Sequence, residues 1–448
     1  MDKTIEQVRR YPVFLNSTLA SMNTFLLIWM GQVVSILGSS MTGFALGVWI
    51  FQYTGSAFSF ALILLFNMLP KALVAPFAGI LADRHDRRKI MIYTDLSAGF
   101  ATIILIILFT VGELSTWHIY LLTAVNAAAS AFQGPAFSAS VTQLVPKAQY
   151  GRANGLQQLG EGISQVIAPV LAGTLIGVFG LMSLLLIDML TFLFAVIILL
   201  VVRFPRIPQT HQRKPELSGT WYSELEQGAK FLFSRQGLLG LMLVFTMVNF
   251  FVGAAEAVLT PMVLSFTSPE NLGLIMTTGG FGMLAGSILM SLYGGGQRKI
   301  YAVFGAYAFL GVAVFLAGLR PSVLLVSTAV FLAFFALPTV MGASQAIFQT
   351  KVAPKIQGRV FGLRIFLNTL SFALAFLLGG FLAETFFEPL MSEGDLLAGS
   401  VGQIIGTGPG RGMGLMFLLM GVLSIISALS AFAHPRIRRV EIELPDID

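Results

Sequence analysis

Cysteine is absent from this 448-residue chain, and charged residues make up only 11% of it. The absence of cysteine excludes disulfides, thiolate metal sites and a cysteine nucleophile. Soluble domains carry roughly 25% charged residues, so this chain has too little charge to cover a water-facing surface. Because 56% of its residues are hydrophobic, most of its surface is expected to face lipid.

Histidine is also scarce, and the four histidines are scattered without the spacing of metal ligands. No G-x-x-x-x-G-K-[ST] loop is present, which argues against ATP hydrolysis by this chain. The basic residues form short clusters at the ends of apolar segments, a pattern that does not suggest nucleic-acid binding. The sequence therefore predicts no enzyme, no metal site and no cofactor.

Twelve apolar segments are each long enough to cross a bilayer, which needs about 20 mostly apolar residues. The first segment follows a basic stretch but lacks a small-residue cleavage site, so it is predicted to be a retained span rather than a signal peptide. The sequence thus predicts an all-α membrane protein with twelve transmembrane helices. The predicted spans are 24–53, 56–82, 90–112, 117–145, 153–179, 181–203, 237–266, 271–293, 300–319, 321–350, 359–386 and 411–433.

Basic residues lie almost entirely on one side of these spans. If the N-terminus is cytoplasmic, 24 of the 27 Lys and Arg residues fall in cytoplasmic segments or helix ends, including Arg364 near the 10–11 turn; the exceptions are Lys71, Arg320 and Arg411. This positive-inside bias predicts a multi-pass protein of the inner (plasma) membrane with both termini in the cytoplasm.

The two halves of the chain resemble each other. Residues 146–156 match 354–363, and the Arg-Lys pair at 88–89 matches the pair at 298–299, with offsets of 207 to 210 residues. Matches in order at one offset indicate a duplicated six-helix unit. The predicted organisation is two six-helix bundles related by a pseudo-two-fold axis along the membrane normal. Its boundaries are 1–203 for the N-terminal bundle, 204–235 for a cytoplasmic linker, 236–433 for the C-terminal bundle and 434–448 for a cytoplasmic tail.

The turn Gly79-x-Leu81-Ala82-Asp83-Arg84-x-x-Arg87-Arg88 resembles the signature turn between helices 2 and 3 of the major facilitator superfamily. The twelve spans and the central loop extend the resemblance over essentially the whole chain, although Asp86 stands where many members have Gly. This turn variant, Gln32, the 134–136 Gly-Pro-Ala and the outer loop 388–412 are similar to the branch of bacterial macrolide-efflux-type and siderophore-exporter-type proteins. That branch exports different compounds, so the resemblance implies a transporter without naming its substrate.

The acid of this turn is predicted to be a switch between the halves. Asp83 ends span 2 at the face where span 11 begins, and a helix N-terminus favours a nearby carboxylate by roughly 0.3–1 kcal/mol. The neighbouring bases are expected to anchor the turn at anionic headgroups, and Asp95 is expected to hold Arg88. The alternative is that these bases only fix the topology. The predicted switch residues are Gly79, Asp83, Arg84, Arg87, Arg88, Lys89, Asp95, Gly358 and Arg359.

Span 5 carries small residues around a proline, namely Ala168, Pro169, Ala172 and Gly173. This stretch resembles a weakened form of the superfamily's antiporter motif, which prefers Gly at the two alanine positions. Small residues let helices approach closely, and proline removes a backbone hydrogen bond. Ordinary close packing of membrane helices is the alternative interpretation.

Four of the ionisable residues inside predicted spans are the candidates for a functional role: Lys71, Glu161, Asp188 and Glu256. Placing a charged side chain at the centre of a membrane helix costs about 2.5–3.5 kcal/mol, so each of them is expected to have a stabilising partner or a function. A membrane carboxyl group can load and release a proton, and Glu161 is the first candidate for proton coupling, with Glu256 second and Lys71 as a partner of Glu161. The alternatives are interfacial water for Glu256, a structural hydrogen-bonded role for Asp188 and a snorkelling or purely structural role for Lys71.

Polar side chains are few on the spans that line the cavity in this superfamily, which are spans 1, 4, 7 and 10. With 39 Phe and 19 Met in the chain, such a cavity suits a large amphiphilic ligand. The cavity candidates are Gln32, Ser35, Asn126, Gln133, Asn249 and Gln345.

The predicted function is proton-coupled export of an amphiphilic small molecule (drug, macrolide or siderophore-like) by rocker-switch alternating access. The expected partners are this substrate, protons and membrane lipids, and the chain is expected to be a monomer. One alternative is a lipid or lysolipid flippase, which a basic headgroup site at Lys71 would favour. A non-transporting receptor or scaffold and an importer are the others.

Overall fold

The fold is described from a computed structural model that covers residues 13–84, 86–146, 149–202, 229–294, 296, 298–352, 354–392, 397 and 399–443. For several residues within these ranges only the helix assignment is described. Among them are four predicted switch residues: Gly79, Asp83, Arg84 and Gly358.

Long helices make up almost all of the described chain. They are α1 Val13–Thr54, α2 Ala57–Arg84, α3 Arg87–Val111, α4 Thr116–Leu144, α5 Tyr150–Val201, α6 Gln236–Leu264, α7 Pro269–Tyr293, α8 Lys299–Leu319, α9 Val323–Lys351 and α10 Pro354–Leu382. A π-helical turn at Ala383–Phe387 then leads into the short α11 Glu388–Leu390. The remaining helices are α12 Val401–Ile405, α13 Arg411–Ala433, α14 Pro435–Arg438 and α15 Val440–Glu443.

Ten stretches among the described helices are long and apolar enough to cross a membrane. Helix α5 has 52 residues and contains Gly180 at φ 72°, a left-handed conformation that glycine tolerates, so it bends there and supplies spans 5 and 6. Helix α4, with 29 residues, matches the fourth predicted span. Spans 7 to 11 correspond to α6 to α10, and span 12 corresponds to α13. The predicted fold class, an all-α membrane protein, is confirmed.

Local side chains fix several helix ends. Asp86 precedes α3 and its Oδ1 accepts a hydrogen bond from the backbone N–H of Arg88 at 3.0 Å, which makes it an N-cap. At the end of the chain, Glu441 of α15 accepts from the backbone N–H groups of Lys299 at 3.1 Å and Ile300 at 3.0 Å. The tail carboxylate therefore caps the first turn of α8, where free N–H groups and the helix dipole favour an anion.

Contacts between Cα atoms divide the chain into two compact units. The first contains 1–43, 70–168 and 181–212, and the second contains 44–69, 169–180 and 213–448. The second unit thus includes the segments around the α1–α2 turn and before the bend of α5. The sequence-based division at 203 and 236 follows chain order and stays a prediction.

Each unit has its own apolar core. In the first, buried side chains from α1, α3, α4 and α5 form one cluster that includes Phe25, Met91, Leu144 and Leu199. In the second, α8 and α13 approach until their backbones touch. A Cβ on Gly311 would lie 2.9 Å from the carbonyl oxygen of Gly421, and a Cβ on Gly421 would lie 2.7 Å from that of Gly311. Glycine is therefore required at this crossing.

Candidate functional site

Asp95 on α3 is the centre of a buried polar cluster in the first unit. Only 7% of it is exposed, and its Oδ2 accepts a hydrogen bond from Gln32 Nε2 on α1 at 3.0 Å. Its Oδ1 accepts from Gln133 Nε2 on α4, also at 3.0 Å. Gln133 in turn bonds the side-chain oxygen of Gln32 and the hydroxyl of Thr94. We call Gln32, Thr94, Asp95 and Gln133 the Asp95 cluster.

The Asp95 cluster holds a carboxylate without a basic partner among the described side chains. Two amide N–H donors satisfy the two carboxylate oxygens, but an unpaired charge inside a membrane protein remains costly. Uptake of a proton would remove that charge, and the amides would then have to change their hydrogen bonds. The cluster is therefore chemically suited to gain and lose a proton. A change of protonation would alter the hydrogen bonds to Gln32 on α1 and Gln133 on α4.

The predicted contact between Asp95 and Arg88 is not formed. Arg88 instead donates from Nε to the carbonyl oxygen of Leu199 at 2.7 Å and from Nη2 to that of Leu200 at 2.8 Å. These carbonyls belong to the last turn of α5, where carbonyl groups have no partner within the helix. Arg88 thus caps α5 rather than pairing with Asp95 or reaching headgroups. Of the cavity candidates, Gln32 and Gln133 are engaged with Asp95.

Asp188 on the second part of α5 is held in a different way. It is 6% exposed, its Oδ1 accepts from the Ser39 hydroxyl at 3.0 Å, and its Oδ2 accepts from the Thr102 hydroxyl at 2.8 Å. Hydroxyl groups can reverse their donor and acceptor roles by rotation. This geometry agrees with the alternative considered above, a hydrogen-bonded structural acid that joins α1, α3 and α5.

The other three predicted membrane charges, Lys71, Glu161 and Glu256, are exposed in the structure. Lys71 and Glu161 form no ion pair with each other, so the predicted pairing is wrong for this conformation. Their roles in proton coupling, and that of Glu256, stay predictions.

The predicted switch is only partly visible. The surroundings of Gly79, Asp83, Arg84 and Gly358 lie outside the description, so the contact proposed for Asp83 stays a prediction. Of the other switch residues, Arg87 and Arg359 are half-buried and Lys89 is exposed.

The remaining cavity candidates are on α1, α4, α6 and α9. Ser35 and Asn126 are half-buried. Asn249 donates from Nδ2 to the side-chain oxygen of Asn368 at 3.1 Å, and the side-chain oxygen of Gln345 accepts from Arg364 Nη1 at 3.2 Å. Polar side chains therefore bridge α10 to both α6 and α9 within the second unit.

Glu384, in the π-helical turn after α10, contacts the start of α2 within the second unit. Its Oε2 accepts from the Ser56 hydroxyl at 2.5 Å and from the backbone N–H of Phe58 at 3.2 Å. The carboxylate therefore caps the N-terminus of α2. Sequence reasoning missed Glu384, because only Ser56 before an apolar run signals this helix start and nothing local points to a partner so far along the chain.

The antiporter-like stretch packs against the start of α7. A Cβ on Gly173 would lie 2.5 Å from the carbonyl oxygen of Pro269 and 3.2 Å from the Cα of Gly273. In the reverse direction, a Cβ on Gly273 would meet the carbonyl oxygen of Pro169. Ala172 is fully buried and Ala168 nearly so. We call these α5–α7 contacts, together with the contact of Glu384 with α2, the outer-end cluster, after their place in the predicted topology.

Arg411, one of the three exceptions to the charge bias, has a structural explanation. It is 3% exposed and donates from Nη2 to the carbonyl oxygen of Gly318 at 2.6 Å. Nearby, Glu388 accepts from the backbone N–H groups of Gly410 at 3.1 Å and Met413 at 2.9 Å. Glu388 thus caps the start of α13.

Comparison with known proteins identifies the family. The profile of the Major Facilitator Superfamily matches residues 28–376. Macrolide efflux protein A of Streptococcus pyogenes is 30% identical over 366 residues, which are 80% of this chain and 89% of that protein. Its counterpart in Enterococcus faecalis is 30% identical over 315 residues, 69% of this chain and 96% of that protein.

Solved structures with the same fold include a bacterial homologue of the human lysosomal transporter Spinster, with a TM-score of 0.71 and 16% identity over 95% of this chain and 98% of that one. A bacterial homologue of the iron transporter ferroportin has a TM-score of 0.65 and 14% identity, covering 91% and 98%. The chain therefore belongs to the major facilitator superfamily, in its macrolide-efflux branch, and is a multi-pass membrane transporter rather than an enzyme.

Proposed function

We propose that this transporter exports an amphiphilic small molecule, with macrolide-like drugs as the first candidates, in exchange for protons. The names of the relatives support export of macrolides. The observation that supports proton coupling is the Asp95 cluster, a buried carboxylate bound by two neutral amides and no described base. Its position between α1, α3 and α4 matters because spans 1 and 4 line the cavity in the superfamily that this chain resembles.

In the proposed cycle, Asp95 alternates between two hydrogen-bonding states. The ionised form accepts from Gln32 and Gln133, whereas the protonated form presents an O–H that one of these amides must accept. Protonation thus reorients an amide of α1 or α4, and substrate binding to the ionised state is coupled to proton release. The drug binds when Asp95 is ionised, and the proton binds Asp95 itself, so binding of one disfavours binding of the other. Such mutual exclusion is the requirement for exchange.

Alternating access is proposed to proceed by rocking of two six-helix halves in the plasma membrane, with both termini in the cytoplasm and a monomer as the working unit. The outer-end cluster supports a state that is closed at the outer side. There Glu384, in the π-helical turn after α10, caps α2, and Gly173 of α5 meets the backbone of α7. Opening to the outside would break these contacts, while the predicted switch at Asp83 would form on the cytoplasmic side.

The test of this function is transport of radiolabelled erythromycin into proteoliposomes. An acid-inside pH gradient is expected to drive accumulation by the wild-type protein above the level of empty liposomes. Asp95→Asn is expected to lose this accumulation yet retain exchange of labelled for unlabelled erythromycin at equal pH. Glu161→Gln and Glu256→Gln serve as matched substitutions of the other membrane acids. Accumulation that ignores the gradient would contradict proton coupling.

Lipid translocation is the second candidate, favoured by the exposed side chain of Lys71 on α2, to which no described acid is paired. A lysophospholipid with a fluorescent chain and an external quencher would report it in the same proteoliposomes. Faster loss of fluorescence with wild-type protein, slowed in Lys71→Gln, would support a flippase. Equal rates in empty and protein-containing liposomes would remove this candidate.

A further inference from the structure

Arg364 lies inside the second unit rather than at a cytoplasmic helix end, where the charge pattern had placed it. It is ten residues from the start of α10, which is about 15 Å along a helix that rises 1.5 Å per residue. Its Nη2 donates to the Ser344 hydroxyl at 2.7 Å and its Nη1 to the side-chain oxygen of Gln345 at 3.2 Å. Both partners are on α9, and both are neutral.

Aromatic rings form the other side of this environment. The guanidinium carbon of Arg364 is 5.3 Å from the ring centroid of Phe245 and 5.1 Å from that of Phe348. Both rings are almost completely buried, and Phe245 packs against Tyr307 with centroids 5.5 Å apart. Cation–π contacts of this kind hold the guanidinium in place without neutralising its charge.

The cation at Arg364 has no carboxylate partner among the described residues. Intramembrane charges usually pair with one another or mark a substrate pathway, and arginine suits carboxylate and phosphate groups because its donors form a planar fork. A guanidinium has five N–H donors, of which Ser344 and Gln345 take two. The residue is half-buried, so part of its surface is accessible to a ligand.

We propose that Arg364, with Ser344 and Gln345, binds the acidic group of an amphiphilic ligand: a carboxylate, sulfonate or phosphate. Met341 lies one turn before Gln345 on the same side of α9 and is 60% exposed, so apolar surface for the rest of the ligand adjoins the charged site. The inference rests on the proposed function for the claim that this ligand is cargo, and it adds negatively charged amphiphiles to the macrolide-like drugs as candidate cargo.

The test uses two fluorescent probes that differ by one acidic group. These are 8-anilinonaphthalene-1-sulfonate and its uncharged analogue N-phenyl-1-naphthylamine, titrated into protein in phosphatidylcholine nanodiscs with empty nanodiscs as blanks. Arg364→Gln is expected to weaken saturable binding of the sulfonate about tenfold, as expected for loss of one charge-assisted contact, and to leave the uncharged probe unaffected. Arg364→Lys, which keeps the charge but not the planar fork, should retain only part of the sulfonate affinity.

Arg320→Gln, which removes an exposed arginine at the end of α8, is the matched control and should bind both probes like wild type. Unchanged sulfonate binding in Arg364→Gln, or equal weakening of both probes, would overturn the proposal. Nanodiscs that contain phosphatidylglycerol identify the source of the acid. If that lipid competes with the sulfonate for wild type, the site takes lipid phosphate, and if it does not, the site takes a free acidic amphiphile. Because no pH gradient is used, failure here leaves erythromycin exchange untouched.

Discussion

Replacing Gly273 by alanine should open the outer-end cluster. The added Cβ would meet the carbonyl oxygen of Pro169, and it would lie 3.1 Å from the carbonyl carbon of that residue and 3.4 Å from the Cα of Gly173. All three are backbone atoms of α5, so no side chain can rotate away to make room. Helices α5 and α7 must separate at this crossing in Gly273→Ala.

The expected size of this effect follows from the cost of overpacking, typically about 1–3 kcal/mol. A conformation in which the outer ends are apart does not carry that cost, because the two backbones no longer touch. A bias of this size shifts a two-state equilibrium about 5–150-fold towards the open state. The variant is thus expected to fold normally while its outer end is open more often.

The assay uses the absence of cysteine from the natural chain. Val48, in the α1 segment of the second unit, is fully buried, and Val48→Cys conserves most of its volume. An impermeant maleimide added outside should label this cysteine faster in Gly273→Ala. The control is Gly305→Ala on α8, where a Cβ would meet no atom within 4 Å. Equal labelling rates in a folded Gly273→Ala protein would refute the reasoning.

The remaining predictions concern single polar contacts. Asp188→Val should lower the free energy of unfolding by about 1–3 kcal/mol, because the half-buried hydroxyl of Ser39 and the buried hydroxyl of Thr102 lose their acceptor. Asp188→Asn should stay near wild type in thermal unfolding, and a stable valine variant would contradict this. Glu384→Gln should increase the rate of maleimide labelling at Val48→Cys by less than Gly273→Ala does, because the amide oxygen can still cap α2. A larger increase than that of Gly273→Ala would contradict this prediction. Arg88→Gln should cost about 1 kcal/mol in the same unfolding assay, and no loss would mean that the α5 carbonyls find water instead.

Span positions could be predicted from the sequence because they depend on local properties. Length, hydropathy and the distribution of bases set them, and the bend at Gly180 falls between predicted spans 5 and 6. The signature turn at 79–89 identified the superfamily, since its residues are close together in the chain.

The polar clusters could not be predicted, because they depend on how each helix is rotated about its axis. Asp95 meets Gln32 and Gln133, which are 63 and 38 residues away in the sequence. Helical periodicity placed Asp95 near Arg88 on one face of α3, yet the arginine reaches sideways to the end of α5. The sequence pattern places Arg364 on the cytoplasmic side, because a charged residue near a helix end usually lies there. In the structure its guanidinium instead packs against buried aromatic rings of two other helices.

Proton release on drug binding tests the central claim, coupling at Asp95, most directly. Erythromycin is added to purified protein in weakly buffered solution with a pH indicator dye. The account predicts that wild type and the matched control Asp188→Asn release protons as they bind the drug, and that Asp95→Asn binds it without release. Equal release by wild type and Asp95→Asn would contradict the account, as would drug binding by wild type without any release.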